Sequence, residues 1–562
     1  MPDEIYASEI VALILESNSM PVRYIENNPY IIMKKALTGG YIIVYVKEED
    51  VDKVIANVDN YSSNIYPLVM GLLGEAQLTA SGITQVHRQP FLHLRGQGVL
   101  LGFVDTGIDY TQSAFRYEDG SSRIACIWDQ TISGNPPGGF HYGSEYNNQD
   151  ISRALASSNP HGVVPHVDSV GHGTFLASVA ASRQEGTYMG AAPDSELVVV
   201  KLRRARKFDY RRFLIPPEQE NAFSSADFMM GVQYIVDKAH ELGRPVAICV
   251  SLGTNLGPHD GTGNLEGYLS RVSGISGTAV CTAAGNEAQA GHHTHDKLAA
   301  TGDVKNIEFR AGGKHEDIYL SLFNSAADRL SVALKSPTGE TVSRMPARSG
   351  ARYTQKLVLE RASVTVEYVF PVGRRGEQLT RIKIISATPG IWTISVYGDS
   401  ILDGQFHIWL PLTGFIDPQT VFLNPTPNYT VVLPATSSGV ITCGSYNSQD
   451  NSLSPTSSWG PSRLPAQLPD LTAPGEHVDG IFPTGYGEMS GTSVAAAITA
   501  GASALMLQWA IVEGNDTSMD SHRIRANLIA GCERDPGVDY PNNQWGYGRL
   551  NLYNTFRSLR PY

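Results

Sequence analysis

Cysteine is scarce. The chain of 562 residues holds five, Cys126, Cys249, Cys281, Cys443 and Cys532, an odd number, widely spaced and without the paired spacings of zinc sites. That argues against a disulfide framework and reads as buried thiols in a reducing compartment. Long hydrophobic runs are missing as well, so no membrane span is expected. Nor is there an excess of positive charge. A formal net charge of -12 argues against a chain built mainly to hold nucleic acid, which needs a basic face. The local exception, KLRRARKFDYRR from Lys201 to Arg212, reads as a solvated loop in preference to a docking patch. The opening residues MPDEIYASEIVALILESNS have neither a basic start nor a continuous apolar stretch, so no classical secretory signal is expected.

A globular chain of this length divides into two or three domains. To about residue 74 the sequence reads as a small α+β unit, with a helix over Ile10 to Leu15, a strand at YIIVYV and a helix at DVDKVIANV. Strand-like runs such as VLLGFVDTG, ELVVVKL and PVAICVSLG then alternate with helical ones such as HGTFLASVAAS and ADFMMGVQYIVDKAHEL, the pattern of a parallel sheet flanked by helices. From about residue 304 the texture changes to short alternating strands, among them DIYLSLF, SVTVEYVF, TRIKIIS and WTISVYG, separated by turn residues. This predicts an all-β sandwich or jelly roll inserted into the α/β domain. The α/β texture resumes at SGVITCGSYN and ends in a helix of small residues after Ser493.

Three stretches carry chemistry. In MSGTSVAAA the hydroxyl of Ser493 is either a helix cap or a nucleophile, and a lone serine hydroxyl is a weak nucleophile without a base. GFVDTGIDY puts Asp105 at the carboxyl end of a buried strand, where open α/β sheets present functional groups, although Asp-Thr-Gly also makes a turn. SVGHGTFLASVAA puts His172 between glycines at a helix start, where a substrate backbone can approach the imidazole. Their joint occurrence in the order Asp, His, Ser is one of the known orders of a hydrolytic triad. In it Ser493 attacks a carbonyl, His172 takes and returns the proton, and Asp105 fixes the imidazole tautomer. CTAAGNEAQ adds the side-chain amide of Asn286 as an oxyanion donor beside the Ser493 backbone N–H, although Asn after Gly also suits a turn.

Together VDTGID, GHGT, SLG, AAGN, APG, SGTSVAAA and the closing WGYGRLN resemble the subtilisin-like serine proteases, the subtilases. The resemblance covers about 76 to 302 and 432 to 551. It implies an autoprocessed serine endopeptidase on a subtilisin-like parallel sheet flanked by helices, with residues 1–75 as an α+β prodomain that acts as folding chaperone and inhibitor. The subtilase domain would span 76–303 and 432–562, and the inserted jelly-roll domain 304–431. Ser251, Leu252 and Gly253 would pair with extended substrate by β-augmentation. Ala283, Ala284 and Gly285 would line the pocket for the residue before the scissile bond. The tail NIYPLVMGLLGE would lie in the groove and be cut near Leu73, Gly74 and Glu75.

The inserted β domain, the long connection from Asp105 to His172 and the absent signal resemble the Csp germination proteases of clostridial spores. That implies a protein substrate, a cortex-hydrolase precursor activated by limited proteolysis, and a location in the spore or the mother-cell cytoplasm. The alternatives are a prodomain-locked germination sensor or scaffold, and a broad-specificity nutritional protease. No nucleic-acid partner and no required cofactor are expected. Structural calcium suits the family's oxygen-ligand sites, but carboxylates such as Asp109 and Asp150 serve equally as turn caps. The inserted domain could clamp the catalytic fold or recognise substrate.

Overall fold

The computed structural model describes residues 9–16, 25, 28–55, 65–72, 79–89, 92–184, 188–313, 315–463 and 466–559. Its centre is an eight-stranded sheet. In chain order the strands are β1 (Leu100–Asp105), β2 (Ile124–Asp129), β3 (Ser144–Asn147), β4 (Glu196–Lys201), β5 (Val246–Val250), β6 (Thr278–Ala283), β7 (Ile441–Tyr446) and β8 (Leu471–Pro474). Across the sheet the order is β8-β7-β6-β5-β1-β4-β2-β3. Every pairing is parallel except that of the edge strand β3 with β2.

Such strands must be apolar on both faces, because helices cover both. Leu101 and Phe103 of β1 face one core with α1 (His172–Ala181) and α4 (Thr492–Leu507), whereas Leu100 and Val104 face the other with α2 (Ser225–Glu241) and α3 (Asn264–Val272). Helices α1 and α4 are buried on every side, which their Ala, Gly and Ser content permits by allowing close approach to the sheet. With its continuation the stretch Thr492–Val512 is, contrary to expectation, long and apolar enough to cross a membrane, but it is a core helix almost wholly enclosed by protein.

The N-terminal unit is a three-stranded antiparallel sheet with Tyr41–Lys47 between Ile10–Glu16 and Ile31–Leu37. The predicted helix over Ile10 to Leu15 is therefore a strand. Its six consecutive apolar residues carry no helical period and are buried on both faces. Ile10, Ala12 and Ile14 pack toward α2 and α3, while Val11, Leu13 and Leu15 pack on Ile25, Val51 and Val54. A continuous apolar run of that length suits a doubly covered strand, and burial decides it.

The all-β part forms two packed antiparallel sheets of six and five strands around one core that includes Leu320, Val332, Ile382, Trp392 and Ile408. It begins before the residue 304 boundary, since His293–Lys297 is the edge strand of the larger sheet. Contacts tie it to both other units. Arg374 pairs with Glu16 at 3.3 Å, Lys383 donates to the Arg212 carbonyl at 2.5 Å and Gln219 donates to the Gly414 carbonyl at 2.8 Å.

The basic stretch Lys201 to Arg212 is not a solvated loop. Arg203 and Arg206 are buried and enclose the carboxylate of Asp227, which is fully buried on α2 and also accepts from Tyr142 Oη at 2.8 Å and Tyr45 Oη at 3.1 Å. Arg212 lies over the Tyr66 ring at 3.5 Å. These cations hold the N-terminal unit against the catalytic domain.

Candidate active site

Because β1, β5 and β6 are neighbours and parallel, their carboxyl ends bring Asp105, Ser251 and the Ala283–Asn286 turn side by side. Asp105 ends β1, 1 % exposed. His172 is the first residue of α1, and its Nδ1 stands 2.8 and 2.9 Å from the two Asp105 carboxylate oxygens. Since a carboxylate only accepts, Nδ1 carries a proton, so in the neutral imidazole Nε2 is the basic nitrogen. Ser251 Oγ donates to Asp105 Oδ2 at 2.5 Å, and the Thr106 N–H donates to Oδ1 at 2.7 Å. Burial alone would push the Asp105 carboxyl up, but the adjacent His172 and these hydrogen bonds outweigh it and hold the group below its ordinary value. Asp105 stays ionised and keeps the imidazole oriented.

The helix start that delivers His172 is built by close approach. A Cβ on Gly173 would lie 2.2 Å from the Gly107 carbonyl oxygen, so only glycine lets α1 sit on the Asp105–Gly107 turn. Asp168, not recognised in the sequence, caps this helix. Its Oδ1 accepts from the Gly171 N–H at 2.8 Å, and Oδ2 accepts from the Thr174 N–H at 2.9 Å and from Thr174 Oγ1 at 2.7 Å. An Asp just ahead of a helical pattern is the signal that would have found it. Behind the turn, buried His166 bonds Asp129 Oδ2 through Nδ1 at 2.6 Å and accepts from the Ile108 N–H through Nε2 at 3.1 Å.

Ser493 is the second residue of α4, a helix packed directly against α1. Its Oγ is buried with no hydrogen-bond partner among the described residues, so no competing partner prevents the hydrogen bond to a base by which a triad serine is activated. Its backbone N–H belongs to the first turn, where no intrahelical acceptor exists. Asn286 is fixed beside it, its Oδ1 accepting from the Thr492 N–H and from Thr492 Oγ1, both at 3.1 Å. That commits the carboxamide oxygen and turns Nδ2 into the available donor. The arrangement can attack a carbonyl, shuttle the proton and stabilise an oxyanion. Asn286→Ala is expected to lower kcat about 10²–10³-fold, the loss known for an oxyanion donor in the subtilisin family itself, with KM little changed. Steady-state peptide hydrolysis reads it.

The groove beside these groups is occupied. Val69–Leu72 is the middle strand of a three-stranded sheet between Leu252–Gly253 and Phe223–Ser224, with Leu72 facing Leu252 and Gly71 facing Gly253. Ile65, Val69 and Met70 are buried. Residues 73–75, the expected cleavage region, lie outside the described residues. Of the SLG segment, Leu252 and Gly253 pair with the tail, whereas the Ser251 side chain serves Asp105. Phe223–Ser224 carries no motif that would have marked it as the opposite edge.

Ala283 ends β6, and Ala284 and Gly285 follow it toward Asn286, all three buried. Their walls come from far along the chain. A Cβ on Gly285 (φ +109°) would meet Val432 Cγ1 at 2.7 Å and Ser458 Oγ at 2.8 Å, and the Val432 N–H donates to the Ala284 carbonyl at 2.9 Å. Glu287, also not singled out in the sequence, is 2 % exposed and joins three segments. It accepts from Asn255 Nδ2 at 2.9 Å, from His292 Nδ1 at 2.7 Å and from the Thr413 N–H at 3.1 Å.

All five cysteines are buried free thiols. Asp109 accepts from Thr111 and Gln112 within its own turn, and Asp150 forms the capping box of the helix Asn148–Leu155. Both carboxylates therefore work as local caps.

An oriented imidazole, an uncommitted buried hydroxyl and a fixed carboxamide at the carboxyl edge of a parallel sheet define a hydrolase of the serine class. The chain belongs to the subtilase family, peptidase S8, which it matches over residues 96–307 and 420–548. It is a subtilisin-like serine endopeptidase. The unmatched interval corresponds to most of the β sandwich. Among solved structures it is similar to the CspB protease of Clostridium perfringens, at 32% identity and a TM-score of 0.75 over 86% of this chain and 99% of that one. It also matches a cold-adapted subtilisin-like serine proteinase (14% identity, TM-score 0.39, covering 84% and 98%) and the epidermin leader peptide processing protease EpiP of Staphylococcus aureus (11%, 0.44, 99% and 100%). Comparison with curated proteins returns no match.

Proposed function

We propose that this subtilase cleaves its own N-terminal unit, keeps it bound, and activates a protein precursor by limited proteolysis during spore germination. Ser493 is the nucleophile, His172 the general base, Asp105 its orienting acid, and Asn286 with the Ser493 N–H the oxyanion donors. The observation that carries the reading is the pairing of Val69–Leu72 with Leu252–Gly253 beside the His172–Asp105 pair. An extended chain bound by β-augmentation is held as a substrate is held. The self-cleavage we propose falls within Leu73 to Glu75, just beyond the strand that pairs with Leu252–Gly253. The buried Asp227 hub, which includes Tyr45 of the N-terminal sheet, supports retention of that unit after the cut.

The germination role rests on the resemblance to the Csp proteases and on the similarity to C. perfringens CspB. A cortex-hydrolase precursor is the substrate and the spore the place of action. Incubated with that precursor, the processed wild-type protein is expected to make a limited cut and release hydrolase activity, and Ser493→Ala is expected to leave the precursor intact. A processed wild type that hydrolyses peptides but leaves the precursor whole would remove the germination role and leave the protease class standing.

A further inference from the structure

The β sandwich carries a histidine cluster apart from the catalytic residues. His293 and His295 alternate on the strand His293–Lys297, so both emerge from one face of the sheet. The adjacent antiparallel strand Gln405–Trp409 sets His407 directly opposite His295. One ring nitrogen from each of the three lies within 4.8 Å of the others, and His293 Nε2 stands 3.1 Å from His407 Nδ1. Two nitrogens bound tetrahedrally to zinc at about 2.0–2.1 Å would be about 3.3 Å apart. In the metal-free protein that 3.1 Å contact is a hydrogen bond between the two rings, which a shared ion would replace at a similar separation.

The surroundings fit a cation held by imidazoles. His293 and His407 are 1 % and 6 % exposed and stack on the Trp409 ring, with centroids 4.7 and 5.3 Å away, so a rigid apolar wall fixes both. His295 is exposed, and its ring lies within 13° and 23° of parallel to those of His293 and His407. Binding an ion would require a turn about its Cβ–Cγ bond, a soft torsion in histidine, to aim its lone pair at the other two. A cavity of about 610 Å³ lined by His407, Tyr429, Asp403 and Gln405 opens the His407 side of the cluster to solvent. Arg463 beside this cavity pairs with Glu377 at 2.8 Å, which offsets its charge.

We propose that His293, His295 and His407 bind one divalent transition-metal ion of the zinc type, with water completing the coordination. Imidazole donors favour zinc and its neighbours over calcium. The ion would staple the edge strand of the larger sheet to its neighbour. It would also steady the start of the sandwich, since His293 follows His292, which holds Glu287 next to Asn286.

The test uses the full-length, tag-free protein, stripped with chelator, given one equivalent of zinc and passed through gel filtration. Wild type is expected to retain one zinc per chain, and its melting temperature is expected to rise with zinc by a few degrees. His295→Ala, a change at an exposed side chain, is expected to lose both effects. Cobalt in place of zinc is expected to give the intense visible bands of four-coordinate geometry in wild type alone. Zinc absent from the wild type, or retained equally by His295→Ala and by His407→Gln, would overturn the proposal.

Discussion

Ser493→Ala is expected to abolish peptide hydrolysis and to leave a single uncut chain on a denaturing gel, with the fold intact. Two observations and one principle set the size of the effect. The Ser493 hydroxyl has no hydrogen-bond partner among the described residues, so the substitution breaks none of their bonds. The imidazole of His172 is already oriented by Asp105, and an oriented base without a nucleophile accomplishes little. Because the members of such a triad act as a unit, kcat should fall by about 10⁶-fold, the value known for the nucleophile of the subtilisin family itself. The melting temperature should stay near that of the wild type. A variant that retained cleavage of the N-terminal unit would remove Ser493 from the mechanism.

Asp227→Asn should be the most destabilising single change in the described interface between the N-terminal unit and the catalytic domain. The Asp227 carboxylate meets Arg203 at 2.8 Å and Arg206 at 3.2 Å with no exposure, and Tyr45 of the N-terminal sheet donates to it. Neutralising it leaves the Arg203 guanidinium buried without its counter-charge and Arg206 with only Asp209 nearby, which costs about 3–5 kcal/mol. Denaturant titration reads the loss, and limited proteolysis should cut residues 9–55 faster in the variant. The pH dependence has a definite sign. Burial would raise the Asp227 carboxyl, but Arg203 and Arg206 hold it far below the usual carboxylate range. A carboxyl depressed in the folded state contributes stability above its unfolded value of about 3.9 and loses it as the pH falls toward the folded value. Wild type should therefore lose stability below about pH 4 more steeply than Asp227→Asn. Equal slopes would contradict the role given to this carboxylate.

The positions of the candidate catalytic residues were legible because each is local. GFVDTGIDY, SVGHGTFLASVAA and MSGTSVAAA each place one functional side chain at the end of one strand or the start of one helix, and a parallel sheet brings those ends together. What a short window could not hold was read poorly. The apolar run from Ile10 to Leu15 pairs with Tyr41–Lys47 some thirty residues on, and only burial on both faces makes it a strand. The arginines of KLRRARKFDYRR look solvated until Asp227, on the helix that follows, draws two of them inside. Glu287 gains its meaning from Asn255, His292 and Thr413, the last more than a hundred residues away. Phe223–Ser224 closes the groove through backbone pairing with Val69–Met70, and backbone pairing leaves no side-chain signature.

The central claim is that the tail around Val69–Leu72 is the enzyme's own substrate, held after cleavage. Intact-mass spectrometry of the purified wild-type chain after denaturation, beside native gel filtration of the same sample, tests it most directly. The account predicts two fragments separated within Leu73 to Glu75 that elute together before denaturation. A wild-type chain that stays whole, or a cut far from the strand lying in the groove, would contradict it.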